Sequence, residues 1–272
     1  MGYADALKRH LAEYKRSELG VKENGLWKTQ DRPYPHILPE AELRKNILAT
    51  IRHDFWGWPE CPKLHRDFHH LNSSQAMCFN LFFPFLNYGP ERAAELLDAL
   101  GVPVEPIAAW AFEKIPDPEE ATNLDLWLQL ESDRQIFFEL KLTESEFGAP
   151  KPNEKRSEKY AELYRPRLEG RVANALIDTE EEFFKRYQLM RNLWHLDAER
   201  DDLLFLIFPH GNRKLVEQAD SFCGELEAAW RARVTAIRLE ALHERLSERA
   251  KGDGSLERHL AAFATKYLPA DH

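Results

Sequence analysis

The sequence predicts a mixed α/β domain: a mixed four-stranded sheet flanked by helices, with further helices at both ends. Three observations predict it. Residues 106–144 hold three segments of strand length with period-two alternation, joined by short polar turns, as in a meander. Residues 201–212, "DDLLFLIFPHGN", form a continuous apolar run of the kind buried on both faces of a sheet. Around these segments apolar residues recur at helical spacing, so the fourth strand returns to the sheet after a helical crossover.

Each element has its own signal. Residues 1–20 read as a helix stopped by Gly20. Pro33, Pro35 and Pro39 keep residues 21–39 in a loop, and residues 40–53 read as a second helix. Asn72, with Gln75 three residues on, has the pattern of a capping box. The helix it opens, "SSQAMCFNLFFPFL", is apolar on most faces and should be buried, with Pro84 kinking or ending it. Residues 90–100 form a helix stopped by Gly101. The strands are 106–115, 123–131 and 135–144. Residues 179–195 make an amphipathic helix with an acidic first turn, which suits the helix dipole. Residues 214–249 and 255–267 read as helical. This order places an N-terminal helical extension at 1–69, the sheet-bearing core at 70–212, and a C-terminal helical extension at 213–272 packed on the same domain.

Composition narrows the function. The chain has 272 residues, enough for a sizeable core, and 43% hydrophobic with 11% aromatic residues excludes a disordered chain. The net charge of −9 shows no global nucleic-acid signature, so phosphate binding requires a local basic patch. Cys61, Cys78 and Cys223 are too few and too widely spaced for a disulfide framework, which points to a reducing compartment. The start lacks the apolar core of a signal peptide, and Ala6 breaks the myristoylation pattern. The runs "LFFPFL" and "LLFLIF" are too short to span a membrane. The expectation is a cytoplasmic protein with no membrane partner.

The chemistry lies in two charged strands. In "NLDLWLQLE", Leu124, Leu126, Leu128 and Leu130 share one face, and Asp125, Trp127 and Gln129 share the other. In "QIFFELKLTE", Ile136, Phe138, Leu140 and Leu142 form the apolar face, opposite Phe137, Glu139, Lys141 and Thr143. Matching the apolar faces of a hairpin requires a turn with an odd number of residues. Closing with Leu130 opposite Arg134 sets Asp125 across from Glu139. Closing with Glu131 opposite Gln135 sets it across from Lys141. Either register gathers Asp125, Glu139 and Lys141 on one surface. Two converging carboxylates raise a pKa or require a cation. A hard divalent ion, Mg²⁺ with Mn²⁺ as a substitute, suits them, with the Leu140 carbonyl as a third oxygen. On a bland reading, Glu139 and Lys141 form a surface ion pair of little worth.

Asp125, followed after thirteen residues by Glu139-Leu140-Lys141, resembles the PD-(D/E)XK nuclease superfamily of restriction-endonuclease-like proteins. The wider frame of "HHLNSSQAMCFNLFFPFL", "NLDLWL", "FFELKLTE" and "RYQLMRNLWH" is similar to an uncharacterised bacterial branch of it. Leu124 stands where the family signature has Pro. The resemblance implies a core of the restriction-endonuclease type, Asp125 and Glu139 as ligands of Mg²⁺, Lys141 serving the attacking water, and nucleic acid, DNA above all, as substrate. A role in restriction or defence follows from the resemblance alone.

Other residues carry two readings each. Glu113 is a further acidic ligand or a solvated charge at a strand end. Gln75 and Asn80, on the apolar helix, are satisfied core groups or lean into the site. Gln188, Arg191 and Asn192 resemble the phosphate-contacting helix of the fold or lie on a solvent face. The interval 151–171, with Lys151, Lys155 and Lys159 among its cations and Tyr160 and Tyr164 between, is a nucleic-acid contact or a salt-bridged helix face. Cys61, His65, His69, His70 and Cys78 fit no standard zinc spacing. Cutting both strands of a duplex favours a homodimer. The alternatives to a restriction nuclease are a non-catalytic helical scaffold and a nuclease of repair or RNA processing.

Overall fold

The computed structural model describes residues 2–150 and 153–269, and Lys151 lies outside them. In chain order the elements are α1 (Tyr3–Ser17), β1 (Gly25–Trp27), β2 (Arg32–Tyr34), a 3₁₀ helix (Glu40–Asn46), α2 (Arg52–Gly57), α3 (Ser74–Leu86) and α4 (Pro90–Leu100). Then come β3 (Ile107–Lys114), β4 (Leu124–Leu130), β5 (Gln135–Leu140), α5 (Glu154–Lys159), a π-helical turn (Tyr160–Tyr164), α6 (Arg165–Leu168) and a 3₁₀ turn (Asn174–Leu176). The chain continues with α7 (Glu180–Lys185), α8 (Tyr187–His195), β6 (Leu203–Phe208), α9 (Arg213–Gly224), α10 (Ala228–Arg231), β7 (Val234–Arg238), α11 (Leu239–Arg249) and α12 (Gly254–Tyr267).

The chain forms two units. Residues 107–238 are one, and residues 1–106 with 239–272 are the other. The sequence-based boundaries at 69/70 and 212/213 fall elsewhere. The apolar helix α3 belongs to the helical unit, and the chain returns to that unit only after a further strand.

The helical unit explains its own irregularities. Ser73, not Asn72, caps α3, accepting the Ala76 N–H at 3.3 Å. Pro84 sits inside α3 without ending it. Proline has no N–H to give the carbonyl four residues back, that of Asn80. His259 takes that carbonyl instead, with Nε2 at 2.7 Å, so the helix loses no partner. Residues 21–39 contain the small β1–β2 hairpin as well as loop, and residues 40–53 split into a 3₁₀ helix and the start of α2.

The other unit is built on a five-stranded sheet in the order β3-β4-β5-β6-β7. The first three strands are antiparallel neighbours, while β6 joins β5 and β7 joins β6 in parallel. The mixed α/β class stands, with five strands rather than four. Strand β7, "VTAIR", lies in the stretch read as one helix over 214–249. Its five residues sit between two amphipathic helical patterns, too short to break the period. In the fold its Val and Ile are buried and it follows crossover helix α9.

The β4–β5 hairpin has the predicted parity. Leu126 faces Phe138, Trp127 faces Phe137, Leu128 faces Ile136 and Gln129 faces Gln135. The Leu130 N–H donates to the Arg134 carbonyl at 2.9 Å, so the turn is Glu131-Ser132-Asp133. Asp133 takes the left-handed conformation, φ 67°, that closes a three-residue hairpin. One face of the sheet, with Trp127, Phe137, Leu204 and Leu206, packs on aromatic residues of the helices, among them Tyr164, Phe183 and Trp194.

Leu128 is fully buried on the other face of the sheet. Leu128→Ala is expected to cost about 2–5 kcal/mol, the transfer plus cavity cost of such a truncation. A denaturant titration checks this, and a shift below about 1 kcal/mol would mean that the site collapses.

Candidate active site

Extending the β4–β5 register by one pair sets Asp125 across from Glu139. Extending the β3–β4 register between Phe112↔Leu126 and Lys114↔Leu124 sets Glu113 across from Asp125. Three carboxylates therefore occupy one row over three adjacent strands. Like charges in such a row repel. The structure answers each of them separately.

Glu139 is 3% exposed. Its Oε1 receives the Lys141 ammonium at 2.7 Å. Its Oε2 receives Asn192 Nδ2 at 2.9 Å and Gln188 Nε2 at 3.3 Å. Gln188 and Asn192 are one turn apart on α8 and also bond to each other, Nε2 to Oδ1, at 3.1 Å. Asp125 Oδ2 accepts the Leu140 N–H at 2.6 Å. Burial pushes the Asp125 carboxyl well above the ordinary range, the Glu139 charge adds to this, and Lys141 only partly offsets it. For Lys141, burial works against the charge, but the carboxylates of Glu139, Asp125 and Glu144 outweigh it and raise the ammonium above the usual lysine range. Glu113 bonds to the Asn123 side chain. Its φ of 53° is unusual for a non-glycine residue in a strand and carries a cost of order 1–3 kcal/mol. Such strain concentrates at functional sites.

A second buried group, missed in the sequence, fixes the helix that holds Glu139. Glu120, in the β3–β4 connection, is 1% exposed. Its Oε1 accepts Arg191 Nε at 2.5 Å and the Tyr164 hydroxyl at 2.7 Å. Its Oε2 pairs with His195 Nε2 at 3.0 Å and accepts the Thr122 N–H at 2.6 Å. Helix α8 thus presents two stripes: Gln188 and Asn192 to Glu139, Arg191 and His195 to Glu120. Burial alone would raise the Glu120 carboxyl, but the bonds from His195 and Arg191 hold it below the carboxylate range.

The remaining expected residues are placed as follows. Arg191 is committed to Glu120, and Lys159 donates to the carbonyls of Glu119 and Glu120 at 2.5 and 3.0 Å. Lys155 is exposed on α5. Gln75 and Asn80 lie in the helical unit. Gln75 bonds to the backbone of Lys63 and His65. Asn80 bonds to the backbone of Asn46 and Leu48 and to the Tyr267 hydroxyl. Among the described residues no three His, Cys, Asp or Glu side chains converge as a metal site, Cys61, His65, His69, His70 and Cys78 included. Next to Gln188, the Gly148 carbonyl accepts its N–H at 3.3 Å. Gly148 also lines a cleft of ≈ 370 Å³ with Phe147 and Leu189 in its wall and Lys185, Arg186 and Lys214 around it.

The mixed sheet carries paired carboxylates on adjacent strands with a lysine just beyond β5, the arrangement that the restriction-endonuclease resemblance implies. The chain belongs to the REase-ARP family, described as Restriction Endonuclease associating with ARP, which matches residues 8–268. No curated protein and no solved structure matches the chain. No helix among the described residues is long and apolar enough to cross a membrane.

The electrostatics set the expected behaviour of three variants. Glu120→Ala leaves Arg191 buried without its partner and is expected to cost about 3–5 kcal/mol. Because the folded pKa of Glu120 is depressed, its contribution is full above the unfolded value of about 4.3 and is lost as pH falls. Glu120→Gln should therefore flatten the acid limb of stability against pH, as read by thermal melts. Asp125 behaves oppositely: its folded pKa is raised, so its contribution is present at low pH and lost as pH rises. Asp125→Asn should raise the melting temperature at neutral pH in EDTA, by the equivalent of about 0.5–2 kcal/mol. A lower melting temperature would mean that the Asp125 charge gains more from Lys141 and the Leu140 N–H than burial and repulsion cost it.

Proposed function

We propose that the chain is a metal-dependent endonuclease that hydrolyses phosphodiester bonds, in DNA above all, and serves restriction or defence. The observation that carries this reading is the in-register pair of Asp125 and Glu139 with the Lys141 ammonium on Glu139. Family membership supports the nuclease class. The family description names an associating component, ARP, and we take ARP as the partner under which the activity is expressed.

The donor set fits a hard divalent ion such as Mg²⁺. Asp125, Glu139 and the Leu140 carbonyl offer only oxygens, and the two carboxylates face each other across the hairpin with the single Lys141 ammonium on Glu139. When bound, the ion supplies phosphate charge neutralisation and a water of lowered pKa. The chain's own residues do the rest. Gln188 and Asn192 fix the rotamer of Glu139 from behind, as outer partners orient ligands. Lys141, held protonated, acts as a fixed charge and hydrogen-bond donor to the attacked phosphate rather than as a base. The cleft beside Gly148 offers a nucleic-acid strand a path past Lys214, with Lys185 and Arg186 at its wall paired to Glu182 and Glu225.

The test is cleavage of supercoiled plasmid with Mg²⁺ or Mn²⁺, with ARP present. Lys141→Ala and Glu139→Ala are each expected to lower the rate about 10²–10³-fold, as loss of one preorganised charge does. EDTA should abolish it. Equal rates for wild type and both variants would reject the site.

A further inference from the structure

The helical unit carries a cleft that the nuclease reading does not use. It measures ≈ 550 Å³ and is lined by Arg44, Ala49, Arg52, His53, Trp56 and Gly57. Two guanidinium groups, an imidazole and an indole face it, and no acid does. In a chain of net charge −9 this is a local reversal of sign. Of the acids nearest in sequence, Glu42 pairs with Lys45 at 2.9 Å while its charge still reaches Arg52, and Asp54 accepts the Tyr88 hydroxyl.

The cations are also pre-positioned. The Arg44 guanidinium lies over the Trp56 ring, 5.2 Å from its centroid, and the indole Nε1 donates to the Arg44 carbonyl at 3.3 Å. A guanidinium over an indole ring keeps its N–H donors for an anion, and a planar guanidinium can offer two of them to two phosphate oxygens at once. Among the described residues Arg44 has no carboxylate partner. Arg52 is held by Nε to the Ile47 carbonyl at 2.9 Å and by Nη2 to the Lys45 carbonyl at 3.5 Å. His53 is exposed. The volume lies within the range of about 300–1,000 Å³ of small-ligand sites.

We infer that this cleft binds a phosphate ester, through Arg44 and His53 with Arg52 beneath, independently of the carboxylate site. The phosphate comes either from a nucleic-acid backbone or from a free nucleotide, which share this chemistry.

Fluorescence anisotropy in EDTA, where no cleavage occurs, tests it with two probes: a labelled short DNA duplex and a fluorescent ATP analogue. Arg44→Gln is expected to weaken the duplex about 5–10-fold and to lower the slope of log K against log salt by about 1, as loss of one phosphate contact does. If only the ATP analogue weakens, the nucleotide is the source. His53→Ala, at an exposed position that holds no part of the fold, gives the same reading should loss of the Arg44–Trp56 stack disturb folding. Unchanged affinity for both probes in both variants, or no binding of either probe by the wild type, overturns the proposal. Because metal is absent, neither outcome depends on whether Asp125 and Glu139 cut.

Discussion

The site rests on one register. The three-residue turn Glu131-Ser132-Asp133 sets Leu130 against Arg134, and every pair up to Asp125 and Glu139 follows. A slip of one residue would turn the Leu126, Leu128 and Leu130 face outward. It would also part Asp125 from Glu139. The hydrophobic term and the chemistry are thus enforced by the same count. Burying these three leucine side chains outweighs the repulsion of two carboxylates, since each fully buried leucine contributes about 1.5–3 kcal/mol. The sheet can therefore hold a charge pair that would not assemble alone.

The helix side of the site shows how a buried carboxylate is kept in place. Glu139 is bonded on both oxygens by groups from its own strand and from α8. Helix α8 is short, and its other stripe is clamped by Glu120 from the β3–β4 connection. The segment just before Asp125 thereby fixes the helix that orients Glu139. Loss of either end is felt at both carboxylates, which is how a supporting shell acts on a site it does not line.

Much of this was legible in the sequence. Period-two alternation located β3 to β5, a continuous apolar run located β6, and parity alone restricted Asp125 and Glu139 to one face. Strand β7 was not legible, because five residues between two helical patterns leave the helical period intact. Glu120 was hidden for a different reason. In "DPEEATN" it reads as a turn acid, and its partners Arg191 and His195 lie some seventy residues downstream. The signal that was available is the i, i+4 spacing of Arg191 and His195 beside that of Gln188 and Asn192, two polar stripes on one short helix. Gln75 and Asn80 misled in the opposite sense. Polar residues on an apolar helix suggest a site, yet both are used to close the backbone of their own unit.

The division of the chain has a kinetic meaning. The sheet-bearing unit is one continuous segment, 107–238, whereas the helical unit is assembled from 1–106 and 239–272. During synthesis the sheet can close as soon as β7 has emerged. The helical unit cannot, because Asn80 waits for Tyr267 and His259, and α3 carries an unpaired carbonyl above Pro84 until α12 arrives. Domains fold as units in the order they are made. Here that order is inverted: residues 1–106 are made before 107–238 yet complete their unit after it, and α3, one of the most apolar segments, waits for α12.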